Sequence, residues 1–158
     1  MVMNIETGQV RQRPRRFTGV EPSAILELDQ ETQFQVISDV RYALTAQRFA
    51  TDLLVRGILE VDVRSRCARC GERCARTIRD EDFTRSYPLS AANELIDLTA
   101  DIREAILLAL PMNYVCSATC RGLCIQCGAN LNKAPCACGQ LRQAMPWGML
   151  DQVKIKRK

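Results

Sequence analysis

The sequence predicts an α+β fold, with an antiparallel, β-rich sheet, one core helix packed on it and a cysteine-rich C-terminal segment. Alternation of apolar and polar residues from about residue 21 to residue 87 predicts the sheet. Apolar residues at helical spacing between residues 97 and 111 predict the helix. Six of the nine cysteines lie between residues 116 and 139, which sets the last part of the chain apart.

The composition limits both the size of the core and the chemistry that is available. A chain of 158 residues, 47% of them hydrophobic, is long enough for one core of ordinary size. Histidine is absent, which removes the usual general base and every imidazole metal ligand. Neither a nucleotide-binding glycine loop nor a nucleophile elbow occurs in the sequence. We therefore predict no enzymatic activity and no catalytic residue.

The basic residues are strongly biased toward arginine. Of the 22 basic residues 18 are arginine, and the formal net charge is +4. The planar guanidinium fork suits bidentate contact with phosphate, so this bias favours a nucleic-acid partner.

The N-terminal residues contain no apolar h-region of the kind that a signal peptide needs. No stretch approaches the roughly 18 uninterrupted apolar residues of a membrane span. We expect a cytoplasmic protein with no membrane contact, in which the thiols stay reduced.

Residues 1–20 are predicted to form a basic N-terminal arm or a loosely held first strand. Four arginines surround Pro14, namely Arg11, Arg13, Arg15 and Arg16. One interpretation is a solvated tail, and the other is an RNA-phosphate contact that becomes ordered on binding.

Residues 21–111 are predicted to form a β-rich domain that contains a cysteine hairpin and the core helix. The stretch "AILEL" (24–28) and the even-numbered apolar residues from Phe34 to Leu44 indicate strands. Gly57 suggests a bulge or a close backbone approach. The next alternating run places one apolar set, Val55, Leu59, Val61 and Val63, opposite one polar set, Arg56, Glu60, Asp62 and Arg64.

The hairpin and the helix follow in order. "CARCGERC" (67–74) is interpreted as the hairpin turn, and residues 75–89 as the returning strand. Thr99 is the expected helix cap, Asp101 lies in the favourable first turn, and Pro111 prevents continuation. The inward stripe of the helix is Leu98, Ile102, Ala105, Ile106 and Ala109.

The remaining chain divides into two parts. Residues 112–140 are predicted to form a cysteine-rich, zinc-binding module. Residues 141–158 form a C-terminal segment with a basic tail, and a short helix is expected around Trp147 and Leu150.

The cysteine spacing carries the most specific chemistry. Pairs such as Cys67-x2-Cys70 and Cys124-x2-Cys127 each offer two thiolates from one tight turn, and two such halves make one closed tetrahedral zinc site. Four ligands per site leave no position for substrate, so such a site is structural. We predict two Zn²⁺ ions, with Cys74 as a bystander, held by Cys67, Cys70, Cys116, Cys120, Cys124, Cys127, Cys136 and Cys138.

Other interpretations of the cysteines were weighed against zinc. Disulfides are disfavoured in a reducing compartment, and a thioredoxin-like pair requires a βαβ pattern that this chain lacks. The usual iron–sulfur spacings are absent. Thiols without metal and an iron–sulfur cluster both stay open as alternatives.

Proximity in the chain predicts one grouping of the eight cysteines. Cys124, Cys127, Cys136 and Cys138 would form a compact C-terminal site. Cys67, Cys70, Cys116 and Cys120 would join the hairpin to the chain after the helix and close a long loop. An interleaved pairing, for example Cys67 and Cys70 with Cys124 and Cys127, stays open.

Three stretches form a distinctive set: "CARCGE" at 67–72, "DLTADIREAILLALPM" at 97–112 and "CSATCRGLCIQCGANLNKAPCAC" at 116–138. Together they resemble the YceD family, the large-ribosomal-RNA-subunit accumulation proteins. The resemblance covers about residues 20–150. Cys74 is an addition to the family pattern, and "AMPWGML" matches its usual ending only loosely.

The resemblance implies a bacterial or plastid-type factor needed for 23S rRNA to accumulate, hence a role in large-subunit biogenesis without enzymatic activity. The family motif positions fall on Arg69, Asp97, Glu104, Gly122 and Leu123. Asp97 is interpreted as a helix-start residue, and Glu104 as a partner for a basic group near the metal site.

The functional hypothesis combines the cysteines with the arginines. Zinc would hold a rigid surface from which arginines contact rRNA or a large-subunit assembly intermediate. The RNA-binding candidates are Arg64, Arg66, Arg69, Arg73, Arg76 and Arg121, with Arg79 on the same hairpin. Because Arg76 and Arg79 fall on opposite faces of the returning strand, these residues are not all expected to touch one ligand.

Two other functions stay open at this point. One is a zinc-stabilised module that binds a ribosomal protein or another protein partner without contacting RNA. The other is a thiol oxidoreductase, which would require a reactive cysteine of low pKa.

Overall fold

A long β-hairpin forms the centre of the fold. The computed structural model describes residues 3–10, 13–28, 33–90 and 94–140. Strands β5 (Asp52–Arg66) and β6 (Arg73–Pro88) pair antiparallel along their whole length, from Asp52 opposite Pro88 to Arg66 opposite Arg73. The cysteine turn lies at the tip of this hairpin.

The other edge of β5 is shared by two strands. Strand β4 (Val40–Phe49) pairs antiparallel with the first part of β5, and β3 (Phe34–Val36) pairs with the last part. Between these two pairings, the four residues 37–40 lie opposite only two residues of β5, 61 and 62. The segment that joins β3 to β4 is therefore two residues longer than the part of β5 that it faces. Strand β2 (Arg15–Glu21) pairs with β4 and completes the sheet.

A small second sheet and the single α-helix of the described residues lie beside the large sheet. Strand β1 (Asn4–Glu6) pairs antiparallel with β7 (Leu95–Asp97). Helix α1 (Thr99–Ala109) packs on β6 and β5. Short 3-10 turns span Thr7–Gln9, Ser23–Leu26 and Ala137–Gln140. The prediction of an antiparallel sheet with one packed helix is confirmed.

The two faces of the large sheet follow the alternation of the sequence. Val55, Leu59, Val61 and Val63 are fully buried, while Arg56 and Arg64 on the opposite face are exposed. The face toward α1 is called the inner face below, and the opposite face the outer face. Phe34, Val40 and Leu44 are likewise buried, as the even-numbered pattern predicts.

Gly57 combines the two features that the sequence suggests. The β5–β6 register shifts between Gly57 and Leu59, where residues 81 and 82 both lie opposite Ile58. A Cβ at Gly57 would lie 2.2 Å from the backbone oxygen of Ala43 on β4. The bulge and the close approach are therefore both confirmed.

Helix α1 buries four of the five residues of the predicted stripe, and the fifth, Ala109, is partly buried. Leu98, Ile102 and Ile106 are fully buried, and Ala105 is 7% exposed. The expectation that Thr99 caps the helix is wrong, because its Oγ1 is buried without a hydrogen-bond partner. Instead the backbone N–H of Thr99 donates to Oδ1 of Asp97 at 2.8 Å, which agrees with the helix-start role of Asp97.

One stretch differs from the strand pattern that the sequence indicates. Residues 23–26, within the region interpreted as strand, form a 3-10 turn that ends at Glu27 with φ 50°. A strand with one buried face could not bury both of the adjacent residues Ile25 and Leu26, because they would point to opposite sides. The turn buries Leu26 completely.

The described part of the first twenty residues, 3–10 and 13–20, is built into the body of the fold. Met3, Ile5 and Val10 lie in the core, and residues 15–21 form β2. Arg13, Arg15 and Arg16 are exposed, and Arg15 stacks over the Phe17 ring at 5.4 Å. Of the two alternatives for residues 1–20, a basic arm or a first strand, the structure contains the strand. The division of the chain into four segments stays a prediction.

Arg11, Trp147 and Leu150 lie outside the described residues, as does the whole segment 141–158. In the described ranges, no helix has both the length and the apolar character needed to cross a membrane.

We predict that Gly57→Ala lowers the free energy of unfolding by about 1–3 kcal/mol, because the added methyl group would overlap backbone atoms of β4 that have little room to move. Denaturant unfolding at constant metal content measures this. The matched control is Ser86→Ala on the exposed outer face, which should change stability by less than about 0.5 kcal/mol. Equal stability of the two variants would contradict the assigned close approach.

Candidate metal centres

The turn between β5 and β6 presents two thiols from one loop. The N–H of Gly71 donates to the carbonyl of Cys67 at 2.9 Å, and the N–H of Cys67 donates to the carbonyl of Glu72 at 2.8 Å. Gly71 has φ +72°, a left-handed conformation that suits glycine. The thiols of Cys67 and Cys70 are buried in this turn.

Tyr114 brings the segment after α1 to this turn. Its side chain is 2% exposed, its ring packs edge-on against Phe34, and its hydroxyl donates to the carbonyl of Cys74 at 3.1 Å. Its own carbonyl accepts the N–H of Ala68 at 2.7 Å. Burial raises the pKa of Tyr114 to about 12, so the hydroxyl stays a donor. Cys116, two residues further on, therefore lies beside the hairpin.

The first centre consists of Cys67, Cys70, Cys116 and Cys120. Their four sulfurs lie within 4.8 Å of one another, with 3.8 Å between Cys67 and Cys120 and 3.8 Å between Cys70 and Cys116. Four sulfurs arranged tetrahedrally at about 2.3 Å from a zinc ion would be about 3.8 Å apart. The site can thus hold such an ion with little rearrangement.

The second centre repeats the local geometry of the hairpin turn. The N–H of Gly128 donates to the carbonyl of Cys124 at 2.9 Å, and Gly128 has φ +71°. The sulfurs of its four members also lie within 4.8 Å of one another: Cys124, Cys127, Cys136 and Cys138. The second centre is more exposed than the first.

The thiols of each centre differ in acidity. A hydrogen bond from the backbone N–H of Cys116 is the main cause that lowers the pKa of Cys67 to about 6. Backbone N–H groups of Cys127 and Gln126 lower the pKa of Cys124 to about 6. The hydrogen bond with Cys120 raises the pKa of Cys116 to about 12. Each group of four thiols can thus start with a thiolate, and a divalent metal must displace the remaining protons.

The loop between Cys127 and Cys136 connects the two centres. The side-chain amide of Asn132 donates to the sulfur of Cys120 at 3.3 Å, and its Oδ1 accepts the N–H of Arg121 at 2.8 Å. Lys133 binds Glu72 of the hairpin turn at 2.6 Å, which lowers the pKa of Glu72. A loop of the second centre therefore positions a ligand of the first.

Backbone contacts strengthen this connection. The N–H of Leu123 donates to the carbonyl of Arg69 at 3.1 Å, and Leu123 forms an isolated bridge with Asn130. A Cβ at Gly122 would lie 3.2 Å from the same Arg69 oxygen, and Gly122 has φ +76°. The two centres and the hairpin tip thus form one continuous unit.

The grouping of the eight cysteines is the one that proximity in the chain predicts, and the interleaved grouping is not observed. Cys74 belongs to neither centre; its sulfur lies 4.0 Å from the carbonyl of Ser65. All nine cysteines are free thiols. That these eight bind zinc stays a prediction, because no property of the sulfur geometry alone selects the metal.

The predicted arginines separate into several environments. Arg64, Arg66 and Arg73 lie on the outer face, while Arg76 lies on the inner side of β6, as the register requires. Arg79 bonds Glu60 at 3.2 Å and Glu81 at 3.1 Å. All the candidates are exposed: Arg64, Arg66, Arg69, Arg73, Arg76, Arg79 and Arg121.

Arg69 has a structural role that the sequence did not indicate. Its Nη1 donates to the carbonyls of Ala118 and Cys120, at 3.4 and 3.2 Å. It therefore fastens the segment after α1 to the hairpin tip. Its contribution to RNA binding stays a prediction.

The expectation that Glu104 partners a basic group near the metal site is wrong. Glu104 binds Arg85 at 3.1 Å, and Arg85 also binds Asp101 at 3.0 Å. Arg85 lies opposite Val55, at the end of the hairpin remote from its cysteine tip. Glu104 therefore helps to fix α1 on β6.

Four residues of the unit were not singled out from the sequence. Tyr114 and Glu72 resemble ordinary core and surface residues, and no local pattern marks their contacts. Asn130 and Asn132 carry a weak signal, because asparagines two residues apart favour a side-chain-stabilised turn. The N–H of Asn132 does donate to Oδ1 of Asn130 at 3.0 Å.

An antiparallel sheet with one packed helix and, at one end, two four-cysteine clusters that could hold metal defines a small, cysteine-rich, mainly β protein. The chain belongs to the YceD family, whose model, described as "Large ribosomal RNA subunit accumulation protein YceD", matches residues 55–154. The match begins within β5, so it includes both centres and α1. The resemblance drawn from the sequence is confirmed.

Two plant proteins and a mycobacterial one are similar to this chain. The chloroplastic YCED homolog 1 of Arabidopsis thaliana is 36% identical over 59 residues, which are 37% of this chain and 18% of that protein. The homolog from Zea mays is 37% identical over 73 residues, 46% of this chain and 23% of that protein. An uncharacterised protein of Mycobacterium tuberculosis is 29% identical over 132 residues, 73% of this chain and 56% of that protein.

The chain spans less than a quarter of the plant relatives and about half of the mycobacterial one. No solved structure matches the chain.

We predict two metal ions per chain, with separate loss of each. Cys120→Ser should remove the metal of the first centre and Cys136→Ser that of the second, because each substitution leaves three of four thiolates. Metal analysis of protein purified under reducing conditions measures this. Cys74→Ser is the control and should retain both ions; its losing one would contradict the assignment of ligands.

Asn132→Ala should weaken metal binding at the first centre by about 10–100-fold, since it removes the hydrogen bond to the Cys120 sulfur and the contact that orients Arg121. Competition with a chelator measures the affinity. Asn113→Ala, at an exposed residue outside both centres, should leave it unchanged. An unaltered first centre in Asn132→Ala would show that the loop does not position Cys120.

Proposed function

We propose that this protein is a non-enzymatic factor in large ribosomal subunit biogenesis that supports 23S rRNA accumulation. Two structural zinc ions hold its arginine-rich surface, which binds rRNA or a large-subunit precursor. The family name and the plant relatives' names support the role in ribosomal RNA accumulation. RNA contact and structural zinc extend that role to a mechanism.

The donor set supports zinc in a structural role. Each centre offers four thiols and no carboxylate, and soft thiolates select zinc among the common divalent ions. Four protein ligands would close the coordination shell, so no position would be left for a reacting water. The residues would supply rigidity at the hairpin tip rather than a reaction.

The charge distribution on the outer face is the main observation that supports RNA binding. Arg41 binds Asp62 at 3.0 Å and approaches Glu60 at 3.7 Å, and Arg79 also binds Glu60. The hydrogen bond from Arg41 holds the pKa of Asp62 below its usual range, so this acid stays charged and paired. Glu60 and Asp62 of this face are therefore already paired with arginines, and both lie near its middle.

The arginines closer to the cysteine tip are different. Within the described residues, Arg64, Arg66 and Arg73 have no acidic group within ion-pair distance. Arg76 and Arg121 likewise lack such a partner there. Unpaired guanidinium groups on a rigid surface favour phosphate, which accepts their bidentate hydrogen bonds.

We predict that the affinity for a large-subunit rRNA fragment falls steeply with salt, and that Arg64→Gln/Arg66→Gln/Arg73→Gln makes the dependence shallower. Each lost phosphate contact should reduce the slope of log affinity against log salt by about one. Filter binding at several salt concentrations measures it. The control is Arg103→Gln, which removes an arginine of α1 that is paired with Glu27. This variant should keep the wild-type slope.

An affinity that does not depend on salt would contradict RNA binding by this surface. Nuclease protection of the bound rRNA separates this function from that of a module binding only a protein partner. A precursor particle that keeps the protein bound but shows no protected rRNA segment would favour the protein partner.

A further inference from the structure

A small basic cleft lies on the outer face across the end of β5 next to the hairpin tip, between β3 on one edge of β5 and β6 on the other. Its volume is about 120 Å³. It is lined by Gln33, Gln35, Arg64, Ser65, Arg66 and Arg73. Three of these six side chains are guanidiniums and none is acidic, so the lining selects an anion.

The strand register forces the guanidiniums together. Arg66 and Arg73 are direct cross-strand partners, and Arg64 is the partner of Gln35 on the other edge of β5. Residues on directly opposite positions have Cβ atoms about 4.5–5.5 Å apart, and like charges there are destabilising. The repulsion between Arg66 and Arg73 is relieved when an anion lies between them.

The floor of the cleft is rigid. Ser65 is 4% exposed, and its hydroxyl donates to the carbonyl of Gln33 at 2.6 Å, which fixes the start of β3 to β5. Phe34 pairs with Ser65 and is buried beneath, where it packs against Tyr114. The charged side chains therefore extend from a backbone that is held from both sides.

We propose that this cleft is a phosphate-binding site that holds one phosphodiester of a bound RNA, with Arg66 and Arg73 contacting the same phosphate. The inference rests on the proposed function, which it sharpens from a basic surface to one phosphate position. Two guanidinium forks match the oxygens of one phosphate group. The amides of Gln33 and Gln35 add donors and acceptors for the neighbouring sugar hydroxyl or a base edge.

Compensation of thiolate charge does not explain the arginines of the cleft. Cys67 follows Arg66, but Cys67 is buried and Arg66 is exposed on the outer face. The inner position at this level is occupied by Ser65 opposite Cys74, which belongs to neither centre. None of the four cysteines of the first centre lines the cleft.

A double-mutant cycle tests whether the two arginines share a phosphate. Arg66→Gln and Arg73→Gln should each weaken binding of an oligoribonucleotide by about tenfold. The double variant should be weakened by clearly less than the product of the two single effects, because a phosphate that has lost one guanidinium is no longer fixed between the two and the remaining contact is already weaker. A loss of about 100-fold, the product of the two single effects, would show independent contacts and overturn the proposal.

Arg16 and Arg56 provide the matched control pair. Both are exposed and flank Thr45 on the outer face, away from the cleft. Their substitution by glutamine should give multiplicative effects or none. Metal content should be unchanged in every variant; a loss of metal in the Arg66 or Arg73 variants would show that they act through the first centre and would also overturn the proposal.

Titration with inorganic phosphate separates this site from the proposed function. The arginine Nε–H resonances of Arg66 and Arg73 should shift saturably with phosphate but not with chloride at equal ionic strength, while those of Arg16 and Arg56 stay in place. This selective shift without RNA affinity would retain the cleft as a site for free phosphate and remove the RNA function. A protein that binds RNA, shows no selective shift with phosphate and loses affinity multiplicatively in the double variant would retain the RNA function. That result would overturn the assignment of the cleft as a phosphate site.

Discussion

The contact between the hairpin tip and the segment after α1 is the constraint on which the rest of the structure depends. It joins sulfurs that are 53 and 46 residues apart in the chain, at 3.8 Å each. The entropy lost on closing a loop grows slowly with its length, so one contact can organise the whole intervening stretch of β6, β7 and α1. Tyr114 and Arg69 hold the same junction without metal, through hydrogen bonds to backbone carbonyls. The polypeptide therefore already places the four thiols, and a bound ion would add its binding energy to an arrangement that is largely formed.

How far the sequence predicts the structure depends on whether a contact has a local signal. The faces of β5 are predictable because a strand repeats every two residues and one face is buried. Gly57 is predictable because a glycine inside a strand signals a bulge or a close approach, and both occur. The cysteine grouping follows from the spacing of thiols that must converge. Proximity therefore selects the pairs correctly, although it does not select the metal.

The contacts that the sequence does not predict are those between distant residues of ordinary type. Nothing in the local pattern tells that Tyr114 donates to Cys74, or that Asn132 reaches the Cys120 sulfur. Thr99 shows the opposite error. Its type favours a cap, but the tertiary packing of Leu98 starts the helix one residue early and leaves the capping contact to Asp97. Local propensity was outweighed by burial in that case.

The junction between β3 and β4 limits how the length of this protein can vary. Four residues there face two on β5, and the excess of two keeps Val36 and Val40 on the same side of the sheet. Because side chains alternate along a strand, removing a single residue from this junction would invert every later position of β4 relative to β3. Leu44 would then meet solvent and Arg41 the core. Removing two residues would keep every side chain on its original face. Whether an insertion or deletion at this point is tolerated therefore depends on whether it has an even or an odd number of residues, rather than on its length.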